Sequence, residues 1–160
     1  MILGLMSDSH GDAVMTARAI ALLKERGSTK FIHCGDICGE EVLDELAVVQ
    51  AIFVWGNCDV ASAAIRQYAQ TIGLTPPEGP LHFELAGKKI GVYHGHERSF
   101  PSAAREHKLD YVFYGHTHRF ADQMEDGCRW INPGALHRAR PHTCATIDLK
   151  TGQTQRIIVQ

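Results

Sequence analysis

Five short apolar runs in this chain each end in residues of metal-ligand type, and that recurrence limits the folds open to it. Ile2 to Met6 leads into Asp8-Ser9-His10, and Lys30 to His33 leads into Gly35-Asp36. Ala51 to Trp55 leads into Gly56-Asn57-Cys58-Asp59. Lys88 to Tyr93 precedes His94-Gly95-His96, and Tyr111 to Tyr114 precedes Gly115-His116-Thr117-His118. Between the first three runs the pattern is helical. Residues 13 to 26 read as a helix with Asp12 as N-cap and Gly27 as stop, and Glu40 to Val48 places Val42, Leu43, Leu46 and Ala47 on one side. This βαβαβ order predicts a parallel sheet with helical crossovers. Open α/β sheets gather their sites at the carboxyl ends of strands, so the five clusters are expected to meet there.

The second half reads as strand-rich. A hairpin is expected over 81–85 and 88–93, a helix over 102–107, and strands near 111–114, 120–124, 128–131 and 143–149. The last pairs with 154–159 across the Lys150–Gln153 turn. Two sheets packed face to face with helices outside accommodate this order. At 160 residues the chain is expected to form one domain, residues 1–160.

Any one cluster alone is ordinary, since Gly-Asp is a common turn and a single histidine is commonly structural. Five together, each after an apolar run, point to a shared metal site. Asp8 with His10 and His116 with His118 are spaced i, i+2, so each pair addresses one point if the chain leaves its strand extended. Ten of the 160 residues are histidine, the commonest metal ligand. Imidazole with carboxylate and amide oxygen, without thiolate, suits Mn, Fe, Zn or Ni better than Ca or Cu(I).

The ordered series DxH, GD, GNxD, HGH, GHTH resembles the calcineurin-like metallophosphoesterases. The GNCD form, the short length and Asn132-Pro133-Gly134 are most similar to their small bacterial and archaeal phosphodiesterase branch. The resemblance runs from Ser7 to about Leu149. It implies an α/β, four-layer αββα sandwich of two mixed sheets flanked by helices, with a dinuclear metal site at strand C-terminal ends. Carried onto matching positions, one ion would be held by Asp8, His10, Asp36 and His118. The other would be held by Asp36, Asn57, His94 and His116, with Asp36 bridging. The implied cofactor is two divalent ions per chain, manganese first, with nickel, iron and zinc as alternatives. The implied activity is phosphodiester hydrolysis by a metal-bridging hydroxide, with Asp36, Asn57, Cys58 and His96 as the residues nearest the chemistry. Two divalent cations against two carboxylates and one hydroxide leave a positive centre suited to an anionic ester. A phosphomonoesterase or nucleotidase on the same metals, or a binding scaffold of the same fold, are the alternatives.

In the wider superfamily the third motif usually reads GNH, whereas this chain has Cys58, a poorer proton donor near neutral pH. His96 is expected near substrate or in a supporting role, and His33 in the core or behind a ligand rather than as one. His82, His107, His137 and His142 have no partner at ligand spacing and read as surface residues. Cys34 and Cys38 read as structural, and Asp59 as a cap or an orienting group. Arg138 and Arg140 follow the Asn-Pro-Gly turn as phosphate-binding candidates.

Charge narrows the partners. With formal net charge −2, no electrostatic excess drives binding to nucleic acid or to an anionic membrane. The expected partner is a small phosphodiester, with self-association left open. Five irregularly spaced cysteines do not suggest a disulfide framework, and the N-terminal run lacks a basic n-region. These features lead us to expect a cytoplasmic protein with reduced thiols.

Overall fold

The computed structural model describes residues 1–160. Its elements run β1 (Ile2–Met6), α1 (Ala13–Glu25), β2 (Lys30–His33), α2 (Glu40–Val48), β3 (Ile52–Phe53) and α3 (Ala63–Thr71). They continue with β4 (Leu81–Leu85), β5 (Lys88–Val92), α4 (Ser102–Glu106), β6 (Tyr111–Phe113), β7 (Phe120–Glu125), β8 (Cys128–Pro133), β9 (His142–Asp148) and β10 (Thr154–Val159). Two five-stranded sheets form, ordered β10-β9-β1-β2-β3 and β4-β5-β6-β8-β7. β1, β2 and β3 run parallel in the first, and β5, β6 and β8 run parallel in the second. Antiparallel strands complete both sheets, so both are mixed.

Three buried clusters define the layers. Leu3, Leu5, Ile32, Ile90, Val92, Phe113, Ile131 and Ile147 fill the space between the sheets. Met15, Ala19, Ile20 and Leu23 of α1 with Val42, Leu43 and Leu46 of α2 cover the outer face of the first sheet. Ala104 of α4 packs with Tyr93, Leu109, Val112 and Trp130 on the outer face of the second. The result is helix, sheet, sheet, helix, as the motif series implied. Burying apolar stripes at helical spacing is what holds the crossovers in place.

Local signals place most ends. The Asp12 carboxylate accepts the Met15 amide at 3.0 Å and starts α1, while Gly27 at φ 81° takes the chain out of it. α2 and β10 match their expected bounds. β3 is shorter than the expected 51–55 because only Ile32–Ile52 and His33–Phe53 pair. α3 has no expected counterpart, although Ser62 caps it and Ile65, Tyr68, Ala69 and Ile72 form a stripe at i, i+3, i+4 and i+7 against the core, with Ala69 fully buried. No helix is long and apolar enough to cross a membrane.

Candidate metal centre

All five clusters lie just past the carboxyl ends of parallel strands, Asp8/His10 after β1, Asp36 after β2, Asn57 after β3, His94 after β5 and His116/His118 after β6. The two sheets bring these ends to one edge. The i, i+2 geometry, however, is not that of an extended chain. Asp8, His10, Asp36, His116 and His118 all have φ between 44° and 66°. Side chains converge here because the backbone turns left-handed at the candidate ligands themselves, a conformation that costs of order 1 kcal/mol or more per residue. Tertiary hydrogen bonds hold it. Asp8 N–H donates to Gly35 O and His10 N–H to Asp36 O, both at 2.9 Å.

Asp8, His10, Asp36 and His118 offer ligand atoms that all lie within 4.8 Å of one another. His10 Nε2 is 3.3 Å from His118 Nε2 and 3.5 Å from Asp36 Oδ2, and His118 Nε2 is 3.2 Å from Asp8 Oδ1. On the other side, Asp36 Oδ2 is 3.4 Å from His94 Nε2, which is 3.1 Å from Asn57 Oδ1. The His94 and His116 ring centroids are 5.1 Å apart. Asp36 thus stands between two donor groups. Its other oxygen, Oδ1, accepts the Cys58 amide at 2.8 Å.

The protonation pattern fits cation binding. His94 Nδ1 donates to the Cys34 carbonyl at 2.8 Å, so Nε2 is the nitrogen that faces Asp36 Oδ2 and Asn57 Oδ1: with a proton it donates to them, and without one three acceptors meet there. Asp8 Oδ1 is buried without a hydrogen-bond donor. Acceptors converging in a buried space repel one another unless a cation or proton lies among them. Their acid–base behaviour reflects this. Burial raises Asp8. At Asp36 burial pushes the same way, but hydrogen bonds from His94 and the Cys58 amide outweigh it and hold the carboxyl below the usual range. At His94 burial opposes protonation, and the Asp36 and Cys34 contacts overcome it, so its pKa is raised. Burial lowers His10.

Close approach explains two glycines. A Cβ at Gly115 would strike Ser7 Oγ and lie 2.8 Å from Asp8 Oδ2, and one at Gly56 would strike Asp36 Oδ1. Only glycine lets these loops reach the carboxylates.

Several supporting residues were not foreseen. Glu97 accepts the His94 and Gly95 amides at 2.8 and 2.7 Å and shapes the HGH turn. Buried Asn132 donates to Gly115 O at 2.7 Å and tethers the GHTH loop to β8. Its motif position was visible, its role was not. His33 is buried as expected, donating to Ser9 Oγ at 2.7 Å while its Nδ1 accepts the Gly35 amide. Asp59 orients its neighbours through the Cys38 and Gly56 amides at 2.7 and 2.6 Å, and it is Ser62 that caps α3.

Two readings are corrected. His137 is not remote from the site: its amide donates to Asp8 O at 3.1 Å, and its ring lies 6.0 Å from that of His10 and 3.7 Å from Asp12 Oδ2. Cys38, read with Cys34 as structural, does not share its buried setting. It is exposed, with Sγ 3.8 Å from His10 Nδ1. Exposed His96 sits at the rim, its ring 5.2 Å from His94 and 6.4 Å from His116. Arg138 is close enough to act electrostatically on both His10 and Cys58, whereas nothing ties Arg140 to the site.

Comparison with known proteins follows the same lines. The chain is 30% identical over 138 residues to Phosphodiesterase MJ0936 of Methanocaldococcus jannaschii, covering 84% of this chain and 83% of that protein. It is also 30% identical over 146 residues to Probable metallophosphoesterase YsnB of Bacillus subtilis, covering 85% and 75%. The solved structure of an archaeal phosphodiesterase superposes with a TM-score of 0.85 at 26% identity, over 99% of this chain and 100% of that one. The calcineurin-like phosphoesterase superfamily domain itself matches residues 1–152. A sandwich of this topology, carrying this donor set and matched along nearly its whole length, belongs to the calcineurin-like phosphoesterase superfamily, whose metal-dependent members hydrolyse phosphoric esters.

Proposed function

We propose that the chain, acting as a single domain, hydrolyses phosphodiesters with two divalent ions, manganese first among the candidates. Asp8, His10, Asp36 and His118 hold one, and Asp36, Asn57, His94 and His116 hold the other. The observation that carries this reading is the placement of Asp36 Oδ2, 3.5 Å from His10 Nε2 and 3.4 Å from His94 Nε2, between the two donor groups. Bound divalent ions supply Lewis acidity and bring water's pKa toward neutrality. The protein's own share is orientation: Cys34 O fixes the His94 tautomer, the Cys58 amide fixes Asp36, and Asn132 fixes the loop bearing His116 and His118. His96 and Arg138 stand at the exposed rim, where they meet the substrate's phosphate. Cys58 presents a neutral thiol beside Asn57, which suits an ester monoanion better than a dianion. The relative named as a phosphodiesterase supports the same preference.

The test uses chelator-stripped protein, divalent metals added singly, and a panel of activated aryl diesters and monoesters. Diester turnover should vanish on chelation and return more fully with Mn²⁺ than with Mg²⁺, which prefers an all-oxygen shell. Asp36→Asn, touching both positions, should lose at least as much activity as His94→Ala, of order 100-fold, and should bind less metal. No turnover with any metal, despite two bound ions per chain, would turn the assignment toward a scaffold.

A further inference from the structure

Cys38, Cys58 and His10 form a second donor cluster, which adjoins the carboxylate-lined centre and shares His10 with it. One ligand atom from each lies within 4.8 Å of the others. Both thiols are exposed and line one cavity of about 230 Å³, together with Leu43, Trp55 and Val60. Their loops are clamped together by Asp59, which accepts the Cys38 amide through Oδ1 at 2.7 Å and the Gly56 amide through Oδ2 at 2.6 Å. The cluster is therefore preorganised without any ion. Its spacing also has a chemical meaning. A tetrahedral ion with Zn–S near 2.3 Å and Zn–N near 2.0 Å sets sulfur and nitrogen about 3.5 Å apart. Cys38 Sγ and His10 Nδ1 are 3.8 Å apart.

We propose that Cys38, Cys58 and His10 form a binding site for a thiophilic divalent ion, zinc or cadmium in class, which opposes the metal centre through the shared His10 ring. Thiolate sulfur selects such ions over Mn²⁺ and Mg²⁺, which favour oxygen. Binding releases the two thiol protons. His10 turns Nε2 inward to His118 and Asp36 and Nδ1 outward to Cys38. A neutral imidazole offers one lone pair, so an ion at the thiols draws His10 away from the buried carboxylates. Three protein ligands leave a fourth position open, so the ion also stands at the mouth of the site. The inhibitory consequence rests on the function proposed above, while the binding itself does not.

Co²⁺ serves as the spectroscopic probe. Stripped wild-type protein titrated with Co²⁺ should develop the near-ultraviolet thiolate-to-cobalt charge-transfer band. Cys38→Ser and Cys58→Ser should each lose most of it while still binding cobalt at the nitrogen and oxygen donors. In Mn²⁺-loaded protein, Zn²⁺ should displace manganese and depress turnover at concentrations at least about tenfold lower for wild type than for Cys38→Ser, each normalised to its own zinc-free value. A wild-type chain that binds cobalt without a thiolate band overturns the site, as does a band that persists in both serine variants. Equal zinc sensitivity of wild type and Cys38→Ser overturns the antagonism. If no diester is turned over with any metal, the proposed function falls, and the cobalt band still decides this site.

Discussion

At Cys58 the chain offers a thiol where the wider superfamily's motif usually offers imidazole. Burial, then the hydrogen bond and charge of Asp36, raise its pKa, so the group stays neutral near pH 7. A neutral thiol cannot lend the positive charge that a dianionic monoester needs, nor readily protonate a poor leaving group. Cys58→His should therefore raise kcat/KM for monoesters relative to diesters, on the order of tenfold, while Cys58→Ser should change the ratio little. An unchanged ratio in Cys58→His under one metal would remove this residue as the determinant of substrate class. His33 makes a second prediction, about stability. Burial, followed by the charge of His94, lowers its pKa to about 3 against an unfolded value near 6.5. The unfolded chain therefore binds the extra proton first as pH falls. The stability that neutral His33 supports is complete above pH 6.5 and is lost progressively on acidification toward pH 3. Between pH 6.5 and 5 this amounts to about 2 kcal/mol. Urea unfolding of the stripped protein should show that loss in wild type beyond what His33→Gln shows. Parallel pH profiles for the two would contradict it.

At the scale of elements, the parallel strands β1, β2, β3, β5 and β6 each deliver a loop to the same edge, and each loop must approach its neighbours closely. The end of β6 shows how tight the fit is. Adding a methyl group at Gly115 drives it into Ser7 and the Asp8 carboxylate. Gly115→Ala should cost about 1–3 kcal/mol and weaken metal binding, because the collision moves Asp8, a proposed ligand. Gly79→Ala, with no atom within 4 Å of the new Cβ, is the control and should be near neutral. Thermal melts and bound-metal content check both, and equal behaviour of the two variants would contradict the steric account. Elements with their own local signals were readable in the chain. The Asp12 cap and the Val42/Leu43/Leu46 stripe locate α1 and α2. α3 carries a local signal too, Ile65, Tyr68, Ala69 and Ile72 at i, i+3, i+4 and i+7 after the Ser62 cap, although only Ala69 of it is fully buried.

Across the whole molecule, the centre joins the two halves of the chain, since His118 and Asp8 meet although 110 positions apart in the sequence, while Asp36 touches His94. A ligand that binds only the folded state stabilises it by mass action. One ion at a hundredfold excess over its dissociation constant contributes about 2.7 kcal/mol. For a chain of this size that raises Tm by roughly 5–10 °C. Saturating Mn²⁺ should produce a rise of that order over the chelated protein by scanning calorimetry, and Asp36→Asn should show a smaller one. Identical melting with and without Mn²⁺ would mean that the converging donors hold no ion.

The candidate donors and their order along the chain were legible in the sequence, because apolar runs, glycine turns and the ligand-type clusters that follow them are local features, and the family resemblance assigned them to two ions. Asp8, His10, Asp36, Asn57, His94, His116 and His118 could all be named from it. Tertiary structure decided how they meet. The backbone turns left-handed at Asp8 and His10 where an extended path was expected, since Gly35 O and Asp36 O accept their amides from another strand's loop. Asn132 reaches Gly115, His137 reaches Asp8 and Cys38 reaches His10 across intervals of 17 to 129 residues. Hydrogen bonds over such separations leave no periodic trace in a sequence. They exist only once two sheets, packed face to face, have brought the ends of their parallel strands to one edge.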